Sequence, residues 1–120
     1  YLLKGGVNMK DDKMTFKIAI RLFKGEKAFG PGIAELLENI EKDGSLHKAS
    51  KSMNIAYSKA WKILKDSENA LGFQLVEGKR GGVAGGGSKL SKNGYEILKK
   101  YREFEQRIFE ESERIFTDIF

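Results

Sequence analysis

Residues 44–65 carry the strongest constraint on what this chain can become. They run Gly44-Ser45-Leu46-His47-Lys48-Ala49-Ser50-Lys51-Ser52-Met53-Asn54-Ile55-Ala56-Tyr57-Ser58-Lys59-Ala60-Trp61-Lys62-Ile63-Leu64-Lys65 and contain no acid, although Asp43 and Asp66 bracket them. Leu46, Ala49 and Met53 have the 3–4 spacing of one helical face, and Ala60 and Leu64 repeat it further on. Ser45 is a good N-cap for a helix over about 46–52, and Asn54 suits a tight turn with Ile55 plugging the corner. A second helix is predicted from about Ala56 to Ala70, with Gly72 as its stop. The stretch therefore reads as a helix-turn-helix. Its second helix is studded with Lys59, Lys62 and Lys65 and suits a polyanion.

The flanks extend this unit. Residues 14–24 alternate, with Phe16, Ile18, Ile20 and Leu22 on one face and Lys17, Ala19, Arg21 and Phe23 on the other, which predicts a strand. A turn at Gly25-Glu26-Lys27 leads to a short return strand at Ala28-Phe29. Gly30-Pro31-Gly32 opens a helix whose stripe is Ile33, Leu36, Leu37 and Ile40. After Gly72, a strand over Phe73–Val76, a glycine-rich basic tip over 78–88 and a return strand at Lys89-Leu90 make a wing. Ser91 caps a last helix, which is predicted to continue to about Thr117.

That last helix carries Ile97, Tyr101, Phe104, Ile108 and Ile115 at steps of 4, 3, 4 and 7, with Leu98, Phe109, Phe116 and Phe120 widening the stripe. One small domain cannot cover so long an apolar face. The simplest cover is the same helix of a second copy, which makes these five residues the expected dimerisation contacts.

A chain of 120 residues is one domain by size. The net charge of +5 favours acidic partners, nucleic acid before membrane. Its distribution says more. Residues 96–120 hold seven acids against five bases, while the stretch between Glu77 and Glu96 has no acid at all. Without cysteine, a disulfide framework and thiolate metal sites are excluded, a composition that fits the cytoplasm. His47 has no second ligand at metal spacing. No carboxylate pair suggests a shared catalytic site, no apolar run reaches the roughly 20 residues of a membrane span, and no cofactor motif is present. The glycine run lacks the Gly-Lys-Ser/Thr ending of a phosphate loop. An enzyme is not expected.

The order helix, helix-turn-helix, wing, long helix, together with Gly44-Ser45-Leu46, Ala49, Ile55, Leu71-Gly72, Leu75, Leu90-Ser91 and Gly94, resembles the winged helix-turn-helix of LysR-type regulators. Tyr57-Ser58-Lys59-Ala60-Trp61, the run Gly81-Gly82-Val83-Ala84-Gly85-Gly86-Gly87 and the leading strand resemble more closely the DNA-binding domain of molybdate-responsive ModE-type regulators. The resemblance covers about residues 14–117. It departs at Ala56, where the family usually has a capping Ser, and the chain stops at Phe120, where full-length relatives carry molybdate-binding domains. It therefore implies a stand-alone DNA-binding and dimerisation unit without direct oxyanion sensing.

The expected fold is mainly α with small β: a winged helix-turn-helix with an N-terminal strand or hairpin and a long C-terminal dimerisation helix. Residues 1–12 are read as a flexible or appended tail, 13–93 as the DNA-binding domain and 94–120 as the dimerisation helix. The expected DNA contacts are Tyr57, Ser58, Lys59 and Lys62 toward base edges. Ser45, Lys48 and Lys51 are expected at phosphates. Lys79, Arg80 and Lys89 come from the wing, with Arg80 best suited to a narrow minor groove. Trp61 is expected to be core or partly buried rather than a base contact. The function expected is a homodimeric, sequence-specific transcriptional regulator. The rival readings are a protein-interaction adaptor and a non-specific nucleic-acid binder using the same basic face.

Overall fold

A computed structural model describes residues 3–5, 13–78 and 87–120. Among the described residues, three two-stranded antiparallel sheets accompany four helices. The strands are β1 (Leu3–Gly5), β2 (Phe16–Ile18), β3 (Leu22–Lys24), β4 (Glu26–Phe29), β5 (Val76–Gly78) and β6 (Ser88–Leu90). The helices are α1 (Pro31–Asp43), α2 (Leu46–Ser52), α3 (Tyr57–Leu71) and α4 (Lys92–Ile119). The architecture is that of a winged helix-turn-helix with a long last helix.

The helix ends follow from their cap residues. Pro31 stands at the start of α1, where its missing N–H is no loss. Gly44 and Gly72 end α1 and α3 in the left-handed conformation, at φ 87° and 85°. Ser45 Oγ accepts the Lys48 N–H at the start of α2. Asn54, at φ 56°, makes the turn between α2 and α3, and the Ile55 N–H reaches the Ser50 carbonyl. Ala56 supplies no side-chain cap to α3, in keeping with the departure from the family pattern.

The core is one cluster built from Phe29, Ile33, Leu36, Leu37 and Ile40, with Leu46, Ala49, Ala60, Leu64 and Leu75. Each large apolar side chain removed from water contributes about 1.5–3 kcal/mol. Leu98 and Tyr101 complete the cluster from α4, and the Tyr101 ring meets Phe29 edge-on at 5.1 Å. Tyr101 is 1% exposed and its hydroxyl donates to the Ile20 carbonyl at 2.8 Å. Tyr101 is therefore a core residue of its own chain and not a dimerisation contact. Ile97 is half-buried against the same cluster.

The strands differ from the sequence reading in three places. The alternation over 14–24 is broken into β2 and β3, which belong to different sheets. The Ile20 carbonyl between them is taken by Tyr101 rather than by a ladder partner. The strand after α3 starts at Val76 rather than Phe73: the Leu75 N–H is diverted to Glu68 Oε2 at 2.8 Å, although its carbonyl still accepts from Ser91 N at 2.9 Å, the residue opposite it in the β5–β6 register. Leu3–Gly5, assigned from sequence to a tail, pairs with Phe16–Ile18.

The β5–β6 wing is anchored at both ends. Ser88 N–H donates to the Gly44 carbonyl at 2.7 Å, while Ser91 Oγ donates to the Gln74 carbonyl and accepts the Gly94 N–H. Gly94 lies so close to the Leu75 carbonyl that a Cβ would come within 2.1 Å of its oxygen.

Candidate nucleic-acid interface

α3 divides cleanly into two faces. Ala60, Leu64, Ser67, Glu68 and Leu71 point inward. Tyr57, Ser58, Lys59, Trp61 and Lys62 lie exposed on the first turns, a surface without an acid until Asp66. The inward face is held from two sides: Glu68 binds Leu75 N–H, and Ser67 Oγ donates to the Ala28 carbonyl of β4. The helix is therefore fixed in roll, and the outer residues keep a constant direction.

The exposed cations are not equivalent. Lys62 Nζ lies 2.7 Å from Asp66 and Lys65 Nζ 3.2 Å from Glu68. Lys48, Lys51 and Lys59 are exposed and hold no ion pair among the described residues. Their charge is therefore the more available for a polyanion. An exposed pair such as Lys62–Asp66 is worth little in water, so a phosphate can compete for Lys62.

Trp61 corrects the sequence reading. It is 49% exposed on the outer face, with Lys65 Nζ 5.7 Å from its ring centroid. Tyr57 lies one turn before it and packs its ring 5.8 Å from that of His47 on α2. The spacing from Ala60 to Leu64 sets the buried face of α3 and turns Trp61 outward; apolar character alone misled the sequence reading. Ser45 is committed as the α2 cap but retains its hydroxyl proton. Lys89 is exposed on the wing, opposite Glu77 in the ladder. Lys79 and Arg80 lie outside the described residues.

α4 continues as an amphipathic rod of 28 residues, about 42 Å at 1.5 Å per residue. Phe104, Ile108 and Ile115 are 48%, 39% and 47% exposed, and Ile119 and Phe120 extend the open stripe. Phe109 and Phe116 turn the other way, their rings 5.9 and 5.0 Å from Phe16 of β2. Among the described residues no helix is long and apolar enough to cross a membrane, and no group of three or more His, Asp or Glu is placed to hold a metal.

No family model matches the chain. It is 33% identical over 75 residues to the Molybdenum transport protein ModE of Herbaspirillum seropedicae, covering 62% of this chain and 28% of that protein. It is 37% identical over 70 residues to the Molybdenum transport protein ModE of Azotobacter vinelandii, covering 58% and 26%. It is 28% identical over 100 residues to the DNA-binding transcriptional dual regulator ModE of Escherichia coli K12, covering 81% and 36%. The chain thus spans about a quarter to a third of the length of these relatives. The last of these is named as a DNA-binding transcriptional regulator. Among solved structures, the crystal structure of the CbnR_DBD–DNA complex superposes with a TM-score of 0.57 at 16% identity, covering 71% of this chain and 92% of that one. In sequence the chain is similar to the ModE transcriptional regulators, and its fold is that of a winged helix-turn-helix.

Proposed function

We propose that this chain acts as the DNA-binding and dimerisation unit of a sequence-specific transcriptional regulator. The observation that carries the reading is the outer face of α3, where Tyr57, Ser58, Lys59, Trp61 and Lys62 stand exposed on a helix whose roll is fixed from behind. A major groove admits one such helix, and residues of its first turns reach base edges. Lys59 and Lys62 donate to guanine, Ser58 to several base edges, and the Tyr57 ring packs on a thymine methyl or bonds a phosphate. Lys48 and Lys51, with Ser45 at the head of α2, contact phosphates. The wing adds Lys89, Lys79 and Arg80 along the backbone or minor groove.

On this reading residues 13–93 form the reading head and residues 94–120 the pairing arm, whose first turns also complete the core. Two copies join through Phe104, Ile108 and Ile115, with Ile97 at the margin, and present two heads to a roughly palindromic site. The protein works in the cytoplasm, and its kinship with ModE regulators supports DNA as the partner.

The test is selection of bound duplexes from a random pool, followed by titration of the winning sequence with wild type and Lys59→Ala. Enrichment of a palindromic motif, with Lys59→Ala weaker by about 1–3 kcal/mol, supports the reading. A pool that stays random after repeated rounds refutes sequence recognition.

A further inference from the structure

A cleft of about 680 Å³ opens between the β3–β4 hairpin, the start of α1 and α3. Arg21, Lys27, Lys59 and Lys62 line it, against Glu26 and Asp66. Lys62 and Asp66 neutralise each other. Arg21, Lys27 and Lys59 hold no ion pair among the described residues and are exposed. The cleft therefore keeps an unspent positive charge.

The hairpin's cations have different tasks. Lys24 Nζ donates to the Leu71 carbonyl at 3.1 Å, at the C-terminal end of α3, where carbonyls lack intrahelical partners and a cation is favoured. Arg21 and Lys27 have no such structural use. A Cβ on Gly30 would lie 3.4 Å from Arg21 Cγ and 3.8 Å from Lys27 Cε, so both stems gather over the same bare stretch of backbone. The hairpin cannot drift from α3, because β4 is tied to it by the Ser67 hydroxyl at the Ala28 carbonyl.

We propose that this cleft seats a phosphate group of the DNA backbone, beside the groove that α3 enters, with Arg21 and Lys27 from the hairpin and Lys59 from the helix. The inference rests on the reading of α3 given under the proposed function. Lys59 is the link, since it stands both on the outer face of α3 and in the wall of the cleft. A helix in the major groove is bordered by sugar-phosphate strands, and contacts to them fix its register without reading sequence. The forked guanidinium of Arg21 suits a phosphate, and Lys27 adds a point charge. The hairpin is then a DNA-contacting element separate from the wing.

The experiment is a salt series on the full chain with one selected and one random duplex, comparing wild type, the double variant Arg21→Gln/Lys27→Gln, and Lys24→Gln. In the double variant the plot of log affinity against log salt becomes shallower by about 1, since the loss of one neutralised phosphate removes about 0.9 from the slope. The affinity loss is alike on both duplexes, and the melting temperature stays near wild type because both side chains are exposed. Lys24→Gln keeps the slope and lowers the melting temperature. An unchanged slope in the double variant, with wild type still binding steeply, overturns the cleft and leaves the α3 reading standing. Wild type that binds neither duplex overturns both. Inorganic phosphate perturbing the Lys27 and Gly30 amide resonances of wild type, while the slope of the double variant is unchanged, assigns the cleft to a free anion and overturns the DNA assignment.

Discussion

Arg102 grips Glu38 with two parallel hydrogen bonds, Nε to Oε2 at 2.9 Å and Nη2 to Oε1 at 2.7 Å, while its Nη1 reaches Glu105 Oε1 at 2.7 Å. One guanidinium thus ties α4 to α1 and partners a buried carboxylate, whose other oxygen has no hydrogen-bond partner among the described residues. The two acids hold the Arg102 charge more firmly than usual, the hydrogen bonds to Glu38 being the main cause. Arg102→Ala leaves Glu105 buried and unpaired and is expected to lower stability by about 2 kcal/mol in urea unfolding. Arg102→Lys recovers less than half of it, because an ammonium cannot match the fork. A loss below about 0.5 kcal/mol would mean that water replaces the guanidinium freely.

Burial, with Glu105 nearby, pushes the Tyr101 hydroxyl up to about 12 from an ordinary value of 10.0. The folded state thus disfavours the phenolate. Below pH 10 both states are protonated and this group gives no slope. Between about 10 and 12 the unfolded chain releases the proton first, and stability falls by up to about 1.4 kcal/mol per pH unit. Tyr101→Phe removes that share of the alkaline decline. Equal pH slopes for the two proteins over this window would contradict the burial of the hydroxyl.

Gly94→Ala forces a methyl against the Leu75 carbonyl. Since the obstacle is backbone held by the Ser91 N–H, the start of α4 must shift. The expected loss is about 2–3 kcal/mol, read by thermal or denaturant unfolding. Gly78→Ala, where nothing among the described residues stands within 4 Å, is the matched control and should cost far less.

Trp61 is the single tryptophan of the chain, so its emission reports one position. If α3 enters a groove, adding duplex shifts or quenches that emission. Trp61→Ala then weakens binding by about 1–3 kcal/mol with little loss of stability, as the ring is half exposed. Emission that ignores saturating DNA would place Trp61 outside the contact.

Ile108→Glu puts a charge into the open stripe of α4 without touching the core. On the proposed homodimer it is expected to yield folded monomers in sedimentation, with DNA affinity lowered through the loss of a second reading head. Ile97→Glu, half-buried against the cluster, instead lowers stability. A dimer that persists in Ile108→Glu moves the interface elsewhere.

The helices were legible because 3–4 spacing and cap chemistry agree at Ser45, Gly44, Gly72 and Ser91, each an end found where sequence puts it. What periodicity cannot tell is which surface covers a stripe. Ile97, Tyr101, Phe104, Ile108 and Ile115 look alike in sequence, yet Tyr101 is in the core and Phe104 is open. The difference lies in Phe29 and the Ile20 carbonyl, both far away along the chain. The start of β5 was missed for a similar reason, since the Glu68 carboxylate captures the Leu75 N–H through a bond that no strand pattern encodes. For the candidate interface, the lysines of α3 follow from helical geometry. The approach of Arg21 and Lys27 to Lys59 depends on how the hairpin folds back, which no local pattern encodes.

The bond from Ser67 to the Ala28 carbonyl has a mechanical consequence. Because it rivets a strand to the inner side of α3, any tilt of that helix must drag the hairpin with it. The spacing between the lysines outside and the basic side chains alongside is then a property of one stiff plate. On the proposed function, a duplex that bends or widens must conform to that plate rather than reshape it.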